Sequence, residues 1–493
     1  MNAPLEAAPL APRPPGPRGL PIVGVAPQMA PSRSLRAVAG WQREYGDVFR
    51  LPVFGREMVM VCHPDHFQHV LVTHRDNYVK GSAYDAVREL AGDNLVTLEG
   101  EAHKTRRRIA QPAFHTRSLR RLAEIMVTAT RRWFDRLQAR IPEGGTIDVH
   151  REMTAITMEI VVECLFGTGL SKCTQVTYDQ MSQALELLSN NANGVSLPRW
   201  VPTPGNVKFQ RVLKALDTDV HALIDAGREA VARGEDDGSL LQMLLRATDA
   251  DTGEALDDEA LRDEAVTLFL AGHETTALTM TWFMDLVTGP DGPERLMAPL
   301  RQEVAEAVGD RPPGFGELVG FAAIRRAIDE TLRLRPPAPW VGRQVVATVV
   351  VGGYRLEPGD LVMPNFWLLH RHPDFWGDDA ERFDPDRFLP EAVEQRHRFA
   401  FLPFSTGPRI CIGNTFSYVE SAAIVAEFAR RCTWRHTAGH PEPRPIATLR
   451  PSEPVGSGST GAEAALQRAE GELGEPAEGG REDPRADDAA RAG

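Results

Sequence analysis

The sequence predicts a mainly α-helical fold with small β-sheets, on three observations. Apolar residues recur at helical spacing through most of the stretch from about residue 63 to 340. Strand-like runs are short and few. A coil rich in Pro, Gly and aromatics, 371–410, leads up to a single cysteine, Cys411. A coil that long inside a compact unit is uncommon and usually functional.

The chain has 493 residues, 42% of them hydrophobic, enough for a large core. No Gly/Ser-rich or Pro-rich linker interrupts about Pro21 to Pro451. The expectation is one unit, 14–451, between a disordered N-terminus, 1–13, and a disordered acidic tail, 452–493. From Ser452 to Gly493 there are 10 acidic and 4 basic residues, with no aromatic.

In chain order, Pro14–Pro21 is too proline-dense for a helix or central strand and reads as a stiff extended lead-in. Val48–Val53 and Met58–Cys62 read as strands joined by a turn at Gly55 and Arg56. Helices are expected over Leu119–Leu137, Thr154–Phe166, Phe209–Val231 and Glu259–Leu286. The last has an acidic entry, Asp257-Asp258-Glu259, that suits the positive end of a helix. Asp249-Ala250-Asp251-Thr252-Gly253 fails as a calcium loop. Its Gly comes one place early, and Ala260 stands where a bidentate Glu is needed. It reads as a turn. Val345–Val351 is β-branched and reads as a strand closed by Gly352-Gly353, and 414–429 has helical composition.

A net charge of −13 argues against bulk attraction to nucleic acid or anionic lipid. The five cysteines are scattered, with no C-x-x-C spacing, so a disulfide scaffold or zinc site is not expected and a reducing cytoplasm is. The N-terminus has no apolar run long enough for a signal peptide or membrane anchor.

The strongest signal is Phe404-Ser405-Thr406-Gly407-Pro408-Arg409-Ile410-Cys411-Ile412-Gly413. Gly407 can turn the chain sharply, and Gly413 lets a following helix approach. Cys411 would sit near a helix N-terminus, where backbone donors lower a thiol pKa. The plainer reading is a buried cysteine acting as a small hydrophobe. The whole pattern, Phe-x-x-Gly-x-Arg-x-Cys-x-Gly, resembles the signature loop of the cytochrome P450 superfamily. The resemblance implies heme b, with Cys411 as the thiolate ligand of its iron, Phe404 shielding the sulfur and Arg409 reaching a propionate.

Three further segments resemble the same family over about Pro14 to Leu449. Glu330-Thr331-Leu332-Arg333 resembles its E-x-x-R, whose members share a helix face and pair. Arg387, in Pro385-Asp386-Arg387-Phe388, would complete a structural triad. Ala271-Gly272-His273-Glu274-Thr275-Thr276 resembles the oxygen-activating segment of the long central helix. There Ala271 would face the heme, Gly272 would leave room beside the iron, Thr275 would bond dioxygen and Glu274 would feed protons. Gly100–Arg108 resembles the segment in which His103 and Arg107 would bind a propionate. Arg343 and His370 are weaker candidates for the same role.

The activity implied is insertion of one oxygen atom from dioxygen into an apolar small molecule: a lipid, terpenoid or polyketide-like compound. No flavin or iron–sulfur domain is visible, so electrons would come from a separate ferredoxin or flavodoxin with its reductase. Between Lys104 and Arg140 there are eleven basic and two acidic residues. That surface could receive an acidic partner, or its arginines could pair locally. A peroxygenase or isomerase would usually lack the acid–threonine pair. A gas sensor would need an output module, and none is visible.

Overall fold

The structure, a computed structural model, describes residues 11–141, 146–167, 201, 203–288, 293–436, 440–455 and 464–468. The expected helices are present and longer than their patterns: Thr116–Arg140, Val149–Phe166, Pro204–Ala232 and Asp258–Thr288. The last, the central helix, begins as its acidic entry predicts, with Asp257 Oδ1 accepting from the backbone N–H of Ala260 at 2.8 Å. From Thr276 to Thr288 it is buried at every position. A helix buried all round lies inside a core rather than on one face of it. It packs against Val149–Phe166, Pro204–Ala232, Ala322–Leu334 and Asn414–Arg431.

Beside this helical body lies a five-stranded sheet in the order Val48–Val53, Arg56–Val61, Leu361–Pro364, Arg343–Val345, Tyr78–Val79. The first two strands form an antiparallel hairpin in the register Val48↔Val61. Its two turn residues, Phe54 (φ 48°) and Gly55 (φ 74°), are both left-handed, matching the twist of the strands.

The expected strand Val345–Val351 is in fact two pieces. Arg343–Val345 belongs to the large sheet, and Val349–Val351 pairs with Tyr354–Leu356. Asn77 causes the break. Its backbone carbonyl takes the N–H of Val346 at 3.0 Å, and its side chain bonds both backbone groups of Ala347. Those tertiary bonds override the β-branched composition.

The chain ends hold more order than composition alone indicates. Pro12 and Arg13 are tied down: Arg355 N–H donates to Pro12 O at 2.8 Å, and Arg13 Nη1 meets Asp360 Oδ2 at 2.6 Å. Val455 O accepts from Val149 N–H at 3.0 Å. Within the acidic tail, Ala464–Arg468 forms a strand on the edge of Cys432–His436, where backbone pairing makes few demands on side chains.

The 371–410 coil is held by aromatic contacts, Phe388 lying 4.7 Å from Phe401 and 5.9 Å from Trp376. Asp249 confirms the turn reading. Its Oδ1 accepts from the N–H groups of Asp251 and Thr252, and its Oδ2 from Arg108.

Candidate active site

The cysteine loop is built around backbone demands. Gly407 has φ +72°, and a Cβ there would lie 2.3 Å from Leu71 O, so only glycine fits. Ser405 is also left-handed, at φ 63°. Cys411 N–H donates to Phe404 O at 3.0 Å, closing the loop immediately before the helix Asn414–Arg431. Phe404 is clamped edge-on by Tyr418, with ring centroids 5.1 Å apart. Burial pushes the Cys411 thiol up, while the Gly413 backbone N–H and the Arg107 charge pull it down. The backbone donor at the helix end acts in the expected direction, and desolvation outweighs it. A bound metal ion would supply the missing positive charge.

Cys411 faces a cavity of about 390 Å³. Ala271, Thr275, Phe404, Arg409 and Gly413 line the same cavity, with an apolar wall that includes Val96, Leu268, Ala338 and Val341. The family resemblance also implies that helices near Leu185 to Leu197 border the pocket; those positions lie outside the described residues.

His103, Arg107 and Arg343 stand just behind this wall. Arg107 Nη1 donates to Ile410 O at 2.7 Å, fastening the helix Gly100–Ala110 to the cysteine loop. Arg343 is buried and bonds Tyr84 Oη at 3.3 Å. Arg409 Nη2 meets Glu99 Oε2 at 2.7 Å. One wall residue escaped the sequence reading: Lys80, whose Nζ sits 4.2 Å over the ring of Tyr84, another residue of the wall. Nothing local in the sequence marks Lys80. Burial holds the Lys80 ammonium well below its usual range, and Arg343 and Arg409 lower it further, against Glu99. Burial, Arg409, Arg107 and Lys80 lower His103 to about 4.

This is a cluster of buried and half-buried basic groups with few carboxylates, in which Lys80 and His103 are held toward their neutral forms. It suits a bound group bearing two acidic arms, above a floor that carries one sulfur ligand. His370 is not part of it. Its Nε2 accepts from Leu402 N–H at 3.0 Å, a structural role.

On the central helix, Thr275 Oγ1 donates to Ala271 O at 2.7 Å, keeping its oxygen on the cavity side. Gly272 does more than leave space, since a Cβ there would lie 3.2 Å from Val161 Cγ2 on the helix Val149–Phe166. The glycine lets two helices close on one another. Glu274 departs from expectation. It is absent from the described cavity wall, and its Oε1 accepts from Thr448 Oγ1 at 2.8 Å and Arg450 Nε at 2.9 Å.

Glu330 and Arg333 pair as expected, both with 0% side-chain exposure. Arg387 is looser, with its Nε 3.7 Å from Glu330 Oε1 and its stronger contact at Asp379 Oδ1, 2.6 Å. The basic stretch is largely self-neutralised. Arg106, Arg108, Arg121, Arg132, Arg136 and Arg140 each hold a carboxylate within salt-bridge range.

A lone sulfur on the floor of a cavity rimmed by under-neutralised cations defines a heme-thiolate protein. The sequence profile described as Cytochrome P450 matches residues 14–455, and the chain belongs to the cytochrome P450 family. It is 32% identical to the cyclooctatin synthase of Streptomyces melanosporofaciens, over 88% of this chain and 92% of that protein. It is also 32% identical to the pentalenene oxygenase of Streptomyces avermitilis, again over 88% and 92%. The crystal structure of the cytochrome P450DA heme domain superposes with a TM-score of 0.80 at 23% identity, covering 93% of this chain and 97% of that one. The protein is a P450 monooxygenase whose cofactor is heme b. It therefore requires an organic substrate, dioxygen and a redox partner. Among the described residues, no helix is long and apolar enough to cross a membrane.

Proposed function

We propose that Cys411 ligates the heme iron and that the enzyme oxygenates a terpenoid hydrocarbon, with electrons from a separate ferredoxin or flavodoxin. The observation that carries this is one cavity holding the Cys411 sulfur, the Ala271–Thr275 face and an otherwise mainly apolar wall. Apolar walls with few polar groups suit apolar ligands. Two relatives with similarity along most of the chain are a pentalenene oxygenase and a cyclooctat-9-en-7-ol 5-monooxygenase, which favours terpenoids over the other apolar classes.

Bound in this cavity, heme b would supply the redox-active iron needed for oxygen insertion. The chain's own residues do the rest. Arg107, Arg343 and Arg409 would neutralise the propionates, and Lys80 and His103 would donate hydrogen bonds that orient them. Gly413 N–H and Arg107 favour the ionised sulfur. Thr275 holds a hydroxyl at the cavity face, where it can bond oxygen and pass a proton. Glu274 would draw protons from water and bring them to that hydroxyl. Val96, Leu268, Ala338 and Val341 exclude water and hold the hydrocarbon.

The test adds sesquiterpene and diterpene hydrocarbons, fatty acids and macrolactones to the purified holoprotein. A heme spin-state shift is followed by product analysis under oxygen-18 gas with a surrogate ferredoxin and reductase. A shift and a singly labelled product with terpenes support the proposal. Labelled product from fatty acids or macrolactones alone overturns the substrate class. A thiolate-type carbon monoxide band surviving in Cys411→Ala overturns the ligand assignment.

A further inference from the structure

The C-terminal hairpin, Pro443–Pro445 paired with Leu449–Pro451, grips the acid of the central helix. Thr448 and Arg450 both bind Glu274, and Arg450 Nη2 adds a second bond to the same oxygen. Residues i and i+2 of an extended chain point to one face, so both can reach a single carboxylate. Leu449, between them, is fixed at both backbone groups. Its N–H donates to Pro337 O at 2.9 Å, and its carbonyl accepts from Trp282 Nε1 at 2.8 Å. Trp282 lies on the same central helix as Glu274, so the grip is rigid rather than a chance meeting of surface chains. The titratable neighbours are His150 and His273. Burial lowers both, His273 to about 4, leaving Arg450 as the cation that meets Glu274 among the described residues.

We propose that Arg450, seconded by Thr448, is a positioning residue for proton delivery. It parks the Glu274 carboxylate outside the cavity, and protons reach Thr275 only when that carboxylate leaves Arg450. This rests on the reading of Glu274 as the proton carrier. Held at one oxygen by Thr448 and Arg450, the carboxylate is off the cavity wall that Thr275 lines. The cycle is balanced: Glu274 takes one proton from water at the edge where Arg450 is partly exposed, gives it up on the cavity side and returns to Arg450 as the anion.

The test uses holoenzyme carrying Arg450→Gln or Arg450→Lys, each alone and combined with Glu274→Gln. One readout is the carbon monoxide stretch of the reduced complex, which senses charge near Thr275 without turnover. The other is NADH oxidation through a ferredoxin and its reductase, in water and in deuterium oxide. Arg450→Gln should shift the stretch, speed oxidation several-fold and shrink the solvent isotope effect. Arg450→Lys should restore all three toward wild type. In the Glu274→Gln background, Arg450→Gln should change none of them. Equal changes in both backgrounds, or none in either, overturn the inference. Should Arg450→Gln lose heme, Thr448→Val removes only the 2.8 Å bond and should act weakly in the same direction; no change there counts against it. If Glu274→Gln alone behaves as wild type in oxidation and isotope effect, the proton-carrier reading fails and takes this inference with it. If Glu274→Gln slows oxidation but Arg450→Gln shows no Glu274-dependent effect, only the inference fails.

Discussion

Arg333 and Glu330 lie side by side at zero exposure, Nε to Oε2 2.6 Å and Nη2 to Oε1 2.8 Å. The remaining Arg333 donors go to the carbonyls of His370, Ala380 and Arg382, at 2.9, 2.6 and 3.2 Å. All five guanidinium N–H groups are thus used, two of them on the coil that leads to Cys411. Glu330 also accepts from Asp384 N–H at 2.8 Å. Removing one partner leaves the other charged and buried, at a cost of about 3–5 kcal/mol. Glu330→Ala should therefore yield heme-poor or aggregated protein. Soluble holoprotein with a wild-type melting temperature would contradict this.

Thr275→Ala should separate chemistry from binding. Heme content and the substrate-induced spin shift should stay at wild-type values. Product formed per NADH consumed should fall on the order of tenfold or more, with the missing electrons recovered as hydrogen peroxide. Unchanged coupling would remove the Thr275 hydroxyl from the proton path.

Gly272→Ala places a methyl 3.2 Å from Val161 Cγ2, and the strain of such overpacking costs about 1–3 kcal/mol. Val161→Ala in the same protein removes the opposing methyls, so the double variant should melt higher than Gly272→Ala alone. Additive losses in the double variant would mean that the two side chains do not compete for this space.

Glu264, on the first turns of the central helix, anchors the 92–97 loop that contributes Val96 to the cavity. Its Oε1 accepts from Leu95 N–H at 2.9 Å and from Arg106 at 3.1 Å. Burial raises this carboxyl to about 7, against the pull of Arg106 and the Leu95 N–H. The folded protein thus binds a proton that the unfolded chain releases near pH 4.5. Its contribution to stability is full below that pH and is lost as pH rises through about 7, a swing of at most about 3 kcal/mol. Between pH 5 and pH 8, the melting temperature of Glu264→Gln should fall less than that of wild type. Identical slopes would show that Glu264 does not titrate in this window.

Legibility from sequence tracked how local each feature is. The Cys411 loop was readable because its signature residues, Phe404 to Gly413, lie within ten consecutive positions, the left-handed Gly407 among them. Helices were readable because their periodicity runs over many turns. Lys80 was not, since a lone lysine carries no signal until folding brings it against Arg343 and Arg409. Val345–Val351 misled because Asn77, some 270 positions away, claims the backbone of Val346 and Ala347. Glu274 was recognised by type, but its partner Arg450 lies 176 positions on, beyond any local pattern.

The cation cluster also bears on how the chain is made. Its members are spread along the polypeptide, with Lys80 and His103 synthesised early, Arg343 later, and Arg409 last, two residues before the sulfur. No nascent chain can assemble the rim before the ribosome has passed residue 411. Until then the early basic groups lack the rest of the rim, and burying polar groups without their partners is unfavourable. Cofactor capture consequently comes late in synthesis, and any product terminated before Arg409 lacks both the cysteine and part of the rim. In cells short of heme, full-length protein should accumulate as a protease-sensitive pool whose abundance follows cofactor supply rather than transcript level.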